Sequence, residues 1–294
     1  MAIVRKATAW VTILCVAQTA LLTGCGTTYQ VETLDEQAIA RANAEIAAER
    51  ALAAQSSGMD ADQKIALYTL VAKRVEPVAE AFCREETDPG TNCDFALVID
   101  RNPKASANAH QSYVGGQPRL TTTLAFLDKV KSPDELAFVL SHEAGHHIAG
   151  HLDKKKTQTA LAGVGGALLG ALVVMAATSS GRQVNRQTME QLVGGGAAIG
   201  AAGGAIAYSQ TYELEADTLG AYIAERAGYD PDAGSRIFAR LGVEEGKKPP
   251  PGTASFWSTH PSSPERIATV DAVMAKIKAQ RASGQEPVPP RREQ

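Results

Sequence analysis

Aromatic residues are scarce in this 294-residue chain, at 5% of the total with only two Trp. A core adequate for such a length must therefore be filled mainly by aliphatic side chains. Long basic tracts are absent as well: the longest cationic run is Lys154-Lys155-Lys156, and 29 Lys+Arg against 32 Asp+Glu give a formal net charge of -3. A surface that tracks a phosphate backbone needs a concentrated positive field, so nucleic acid is excluded as a partner. With 44% hydrophobic and 21% charged residues, the composition also excludes a wholly disordered or collagen-like chain. What remains is a globular protein with unusual segments.

The N-terminus is the first of these. Arg5 and Lys6 precede an apolar run from Ala7 to Leu22 that closes on Leu22-Thr23-Gly24-Cys25. A cationic start, an apolar stretch and small residues at its end read as a secretory signal over residues 1–24. Small residues followed directly by Cys resemble a bacterial lipobox, which makes Cys25 the lipid-bearing first residue of the mature chain; an uncleaved anchor helix is the alternative. Several acyl chains anchor far better than one, at about 0.8 kcal/mol per buried CH₂. The membrane is thus an expected partner, and Gly26 implies, by resemblance to Gram-negative lipoproteins, sorting to the outer membrane with the chain facing the periplasm. In that compartment Cys15 leaves with the signal, and Cys83 and Cys93 bracket a turn at Asp88-Pro89-Gly90. A disulfide between them, contributing roughly 2–3 kcal/mol by loop closure, is a better reading than two buried thiols.

Residues 25–58 are rich in Ala, Glu and Arg and read as a partly helical tether. From Asp60, the apolar positions Ile65, Leu67, Leu70, Val71, Val75, Val78 and Phe82 recur at helical spacing, with Pro77 as an expected kink. Phe95 to Ile99 reads as a buried strand, Ala105 to Val114 as an extended segment, and Gly115-Gly116 as a turn into a short strand, Arg119 to Thr122. A helix near Leu124 to Val130 precedes a longer one opened by Ser132-Pro133-Asp134-Glu135, expected to run to about Lys156. The composition then changes abruptly. Ala160 to Thr178 carries no charge, a polar loop is expected from Ser179 to Gln191, and Leu192 to Tyr208 is again uncharged. Glycines at Gly166/Gly170 and Gly196/Gly200/Gly204 have the small-xxx-small spacing of closely packed helices. Each half approaches the roughly 20 residues of a bilayer span, although so much Gly and Ala makes insertion weakly favourable. This Gly/Ala-rich hairpin, residues 160–208, packs on the rest of the chain, dips into lipid, or joins a second copy in a homo-oligomer; the sequence leaves all three open. Helices from about Thr211 to Ala227 and Pro231 to Leu241, a Pro249-Pro250-Pro251 linker, a last helix from near Pro264 and a disordered tail over 284–294 complete the chain.

The long helix carries His142-Glu143-Ala144-Gly145-His146, an HExxH pattern. Residues i and i+4 share a helix face, so both imidazoles can converge on one zinc ion, while Glu143 lies beside the open position where a water must be deprotonated. Chance can supply so short a pattern, so context decides. The apolar run Leu136, Phe138, Val139, Leu140 and Ile148 places this helix in a core. His147 and His151 repeat the i,i+4 spacing without the Glu; His147 is read as partly exposed or as supporting a metal ligand, and for both a structural role is the stronger reading. A third ligand is sought beyond the hairpin, in Tyr212-Glu213-Leu214-Glu215-Ala216-Asp217. Glu213 and Asp217 share a face: Glu213 is assigned to zinc and Asp217 to accepting the N–H of a ligating His. Glu215 points about 200° away and is read as solvated.

Through these residues the chain resembles metallopeptidase family forty-eight, the HtpX, Oma and CAAX prenyl endopeptidase group, and more closely its bacterial periplasmic lipoprotein branch. The matching pieces are His142 to His146, the Glu-x-x-x-Asp of Glu213 to Asp217, Asn108-Ala109 ahead of Gly115-Gly116, and Thr259-His260-Pro261 with Arg266. The chain departs from the family in His110-Gln111, where an aromatic or apolar residue usually follows Asn-Ala, and in the length of its hairpin. The resemblance implies an α+β, mainly helical zincin-like (gluzincin) domain with a small β-sheet over residues 59–283. It also implies one zinc per chain held by two His and one Glu, Glu143 as general base, and polypeptide substrates.

The oxyanion of the reaction needs a further donor, for which His260 and Tyr212 are candidates. His260 could instead be a turn residue, or a fourth ligand that makes the enzyme latent. Substrate is expected to add as an extended strand at the edge near Asn108 and Ala109, which favours unfolded chains. The rival readings are a non-catalytic zinc lipoprotein acting as chaperone or scaffold, and a membrane-associated oligomer built by the hairpin.

Overall fold

The structure, a computed structural model, describes residues 27–52, 58–179, 184–207, 209–241, 256 and 260–292. The segment read as a signal, with Cys25, and the segment read as a linker, Pro249-Pro250-Pro251, lie outside the described residues. The described chain is mostly helical with one three-stranded sheet, the α+β class expected. Its elements are α1 (Glu36–Leu52), α2 (Ala61–Glu86), β1 (Ala96–Asp100), β2 (Ala109–Val114), β3 (Gln117–Thr123), α3 (Leu124–Leu127), α4 (Pro133–Ile148), α5 (His151–Ser179), α6 (Arg186–Ala207), α7 (Ser209–Arg226), α8 (Pro231–Leu241) and α9 (Pro264–Ala282). They fall into two compact units, a larger one comprising residues 29–152 and 210–294 and a smaller one centred on 153–209.

In the larger unit, Asp60 and Gln63 cap α2 reciprocally: the Asp60 carboxylate accepts from the Gln63 N–H at 2.8 Å and Gln63 Oε1 accepts from the Asp60 N–H at 2.9 Å. The helix buries Val71, Val75, Ala79 and Phe82 and carries Pro77 within it. The sheet has the order β1-β3-β2, with β1 parallel and β2 antiparallel to the central β3. Val114 pairs with Gln117, so the β2–β3 turn is the two residues Gly115 and Gly116, both with positive φ (60° and 83°), as a right-handed twist demands. The buried side chains of β2 and β3, among them Ala109, Leu120 and Thr122, alternate with partly exposed ones, and α4 packs on both strands. Ser132 caps α4 by accepting from the Glu135 N–H, with Pro133 in the first turn. Every residue of α4 from Glu135 to Ile148 is buried.

Three expectations are corrected. The long helix does not reach Lys156: α4 ends at Ile148, Gly150 turns the chain with φ +67°, and α5 starts anew at His151. Gly150 can adopt this left-handed conformation without a steric penalty, and its N–H bonds the His147 carbonyl at 2.9 Å. The segment read as a partly helical tether is helical as expected but is no free tether: α1 buries Ala42 and Ile46 and packs on α8 and α9, small side chains sufficing for a close helix contact. The C-terminal segment expected to be disordered is tied back, with the Gln30 N–H donating to the Pro290 carbonyl at 2.8 Å and Tyr29 bridging Arg291.

The smaller unit is a helical hairpin of α5 and α6. A methyl group at Gly166 would overlap the Gly196 carbonyl and one at Gly170 the Leu192 carbonyl, so the glycines serve contact between the two helices. Helix α6 begins at Arg186, within the expected polar loop, where Asn185 Oδ1 accepts from the Thr188 N–H at 2.7 Å. Val164, Leu168, Leu169, Leu172, Val173 and Met175 of α5 remain exposed in this unit. By length and composition α5 alone among the described helices could cross a membrane.

Candidate metal centre

Helices α4 and α7 meet at backbone distance. A Cβ added at Gly145 would lie 2.9 Å from the Ala216 carbonyl oxygen, and one at Gly220 would lie 3.0 Å from the His142 backbone nitrogen. Glycine at both positions lets the one-turn pair His142 and His146 face the one-turn pair Glu213 and Asp217.

His142 Nε2 lies 3.0 Å from His146 Nε2 and 3.3 Å from Glu213 Oε2, and His146 Nε2 lies 3.4 Å from Glu213 Oε1. His260, from the segment before α9, sets its Nδ1 3.3 Å from His142 Nε2 and 2.9 Å from Glu213 Oε2. Donors held tetrahedrally at roughly 2.0–2.1 Å by one cation would sit about 3.3 Å apart; the five separations above are of that size, and the four ligand atoms all lie within 4.8 Å of one another, a donor set that could hold a small divalent ion. Glu143 stands beside them, 1% exposed, with its Oε1 3.4 Å from His260 Nε2 and neither oxygen hydrogen-bonded among the described residues. A buried carboxylate kept free of donors is suited to receiving a proton. The His260 ring stacks on Phe256, whose carbonyl accepts the His260 backbone N–H at 2.7 Å.

Asp217 meets His142 Nδ1 at 2.9 Å, leaving Nε2 for the metal. Arg266 in turn grips Asp217 with two bonds of 2.7 Å, lies 3.3 Å from Glu213, and sets its guanidinium over the Phe238 ring at 3.8 Å. Burial is the largest influence on His142, His146, Glu213, Asp217 and Arg266 and opposes charge in each, yet the neighbours overcome it for all but His146. Asp217 stays below its ordinary range because of Arg266 and His142, and Glu213 lies well below because of His260, His146 and Arg266. His142 rises to about 9 through its bonds to Asp217 and Glu213, so binding a cation at this ring releases a proton. His146 is lowered by burial, toward the neutral form that ligates.

Two readings of the sequence change. Glu215 is fully buried, and accepts at 2.9 Å from His151 Nε2 and at 2.7 Å from the Tyr29 N–H. His147 is buried too, with Nε2 2.8 Å from the Asn92 carbonyl and Nδ1 3.1 Å from the Tyr113 hydroxyl. Tyr212 stacks flat on His151, ring centroids 4.3 Å apart. Asn108 donates its N–H to Thr123 Oγ1 just before β2, and Ala109 is buried opposite Thr122. Cys83 and Cys93 form a disulfide joining the end of α2 to the segment before β1.

Residues 69–274 match peptidase family M48. The chain is 32% identical over 188 residues to the "Putative beta-barrel assembly-enhancing protease" of Vibrio cholerae, covering 61% of this chain and 34% of the relative. It is 30% identical over 156 residues to the "Mitochondrial metalloendopeptidase OMA1" of Schizosaccharomyces pombe, covering 53% of this chain and 41% of the relative. It is 31% identical over 181 residues to the "Beta-barrel assembly-enhancing protease" of Yersinia pestis, covering 59% and 33%. The chain thus spans about a third to two-fifths of the length of these curated relatives. The family match takes in His142, Glu143, His146, Glu213 and His260 together, the residues that converge in this structure, and the chain belongs to peptidase family M48, as a metallopeptidase.

Proposed function

We propose that this chain is a membrane-attached zinc endopeptidase that hydrolyses unfolded or misassembled polypeptides in the cell envelope. The ligands are His142, His146 and Glu213, with one zinc per chain. The observation that carries this reading is the convergence of His142, His146 and Glu213, with ligand atoms 3.0–3.4 Å apart, beside a Glu143 carboxylate that has no hydrogen bond among the described residues. Zinc, when bound, lowers the pKa of a bound water toward about 7 and polarises the scissile carbonyl. Glu143 then receives the proton of the attacking water and returns it to the departing amine. Asp217, held by Arg266, keeps His142 in the tautomer that ligates through Nε2.

Substrate adds along β2, an edge of the sheet. This reading draws support from Asn108 Oδ1 and Gln111 Oε1, both buried and without a hydrogen-bond partner among the described residues. Relatives named for beta-barrel assembly support envelope proteins as the substrate class. Attachment combines a lipid on Cys25, at the outer membrane facing the periplasm, with the apolar α5. A second reading, a latent enzyme, is favoured by one observation: His260 Nδ1 lies 3.3 Å from His142 Nε2 and 2.9 Å from Glu213 Oε2, close enough that it would serve as a fourth ligand in place of the attacking water.

Metal analysis and casein hydrolysis test the proposal. Glu143→Gln should keep one zinc and lose about 10²–10⁴-fold in turnover, because it removes the base and no ligand. Undiminished turnover in that variant, or full zinc occupancy in His146→Ala, would overturn the assignment.

A further inference from the structure

The second ligating imidazole, His146, is not supported as His142 is. His146 Nδ1 lies 2.8 Å from His151 Nδ1; His151 Nε2 lies 2.9 Å from Glu215 Oε2; and Glu215 Oε1 lies 2.7 Å from the Tyr29 backbone nitrogen. His151, Glu215 and Tyr29 are all buried, and Tyr212 stacks on the His151 ring to fix its plane. The proton positions along this line follow from chemistry. A His146 that ligates through Nε2 carries its hydrogen on Nδ1, so His151 Nδ1 must accept. His151 then holds its hydrogen on Nε2 and donates it to the Glu215 carboxylate, whose other oxygen accepts from Tyr29. The opposite orientation would put hydrogen on His146 Nε2 and abolish ligation. The line depends on the break at Gly150, because in an unbroken helix His151 would be turned about 140° from His146.

We infer that His151 and Glu215 are positioning residues for the metal centre: with the Tyr29 N–H they form a one-way hydrogen-bond chain that fixes the tautomer and angle of His146. The N-terminal strap, four residues beyond Cys25, thereby helps hold a ligand in place. The inference rests on the zinc site proposed above, through His146.

The experiment uses the full chain with Glu215→Gln, His151→Phe and the double variant. Glu215→Gln keeps shape while removing the charge and one acceptor; His151→Phe keeps a ring against Tyr212. Zinc affinity is read by chelator competition, ligand orientation by the visible spectrum of the cobalt-substituted protein, and folding by the melting of the metal-free form. Each single variant should lose about 10–100-fold in zinc affinity and shift the cobalt bands, while metal-free melting stays within a few degrees of wild type. The double variant should lose no more than His151→Phe alone, since a chain already broken cannot be broken twice. If His151→Phe does not fold, Glu215→Gln decides alone. Zinc bound by wild type with affinity and cobalt spectrum unchanged in Glu215→Gln would overturn the chain only, and so would additive losses in the double variant. A wild type that binds no zinc would overturn the metal site and the chain with it.

Discussion

Arg266 is a fully buried cation among acids, and its removal shows what the site costs to assemble. It holds Asp217 with two short bonds and also neighbours Glu213. Arg266→Leu would strand both carboxylates without that cation, and we expect a loss of about 3–5 kcal/mol in the denaturant stability of the metal-free protein. His260 offers a functional test at the same scale. If its Nδ1 blocks the fourth vertex, His260→Ala raises basal casein hydrolysis while zinc affinity falls modestly. Loss of turnover with zinc retained would instead make it an oxyanion donor. Which residues were legible at this scale follows from helix geometry. The i,i+4 pairs His142/His146 and Glu213/Asp217 could be read because spacing alone puts each pair on one face. Glu215 was misread although its angle was right: the far side of α7 faces the N-terminal strap and His151 instead of water. A helix with a second buried face looks, in sequence, like an amphipathic one.

Among the elements, α1, α8 and α9 form a three-way contact that sequence reasoning missed. The aliphatic pattern of α2 was read, yet Leu70 proves exposed while Tyr68 and Ala72 are buried, because burial follows the face presented to α4 and not hydrophobicity alone. The small sheet was placed correctly because its glycine turn and β-branched runs are local signals. The three-helix contact carries a pH dependence. Burial, reinforced by Glu45 and Asp232, raises the Asp271 carboxyl from 3.8 to about 6. The folded state therefore holds this proton more tightly than the unfolded chain. That contribution to stability is full below about pH 4 and is lost as pH rises through about 6. Asp271→Asn should melt at a higher temperature than wild type at about pH 7.5, and the gain should vanish near pH 4. Lower melting of the variant at both pH values would contradict this electrostatic account.

For the molecule as a whole, the exposed apolar residues of the hairpin give a test of behaviour in solution. The exposed Leu168, Leu169, Leu172 and Val173 make an apolar surface of a kind monomeric soluble proteins seldom present. In the chain made without its lipid, as residues 26–294, replacing these four by Ser should let the protein run as a monomer in detergent-free buffer, where the unsubstituted chain is expected to aggregate or require detergent; identical elution profiles would show that this surface is already covered. The backbone contact between α4 and α7 has a different consequence. Because Gly145 rests against Ala216 and Gly220 against His142, a side chain at either glycine would force the two ligand pairs apart. Calcium, at roughly 2.3–2.6 Å from its ligands, would need donors about 3.9 Å apart and more of them than four. The two glycines thus set the narrow spacing that suits a small ion: any larger residue at either position would widen the frame toward the calcium distance without touching a single donor.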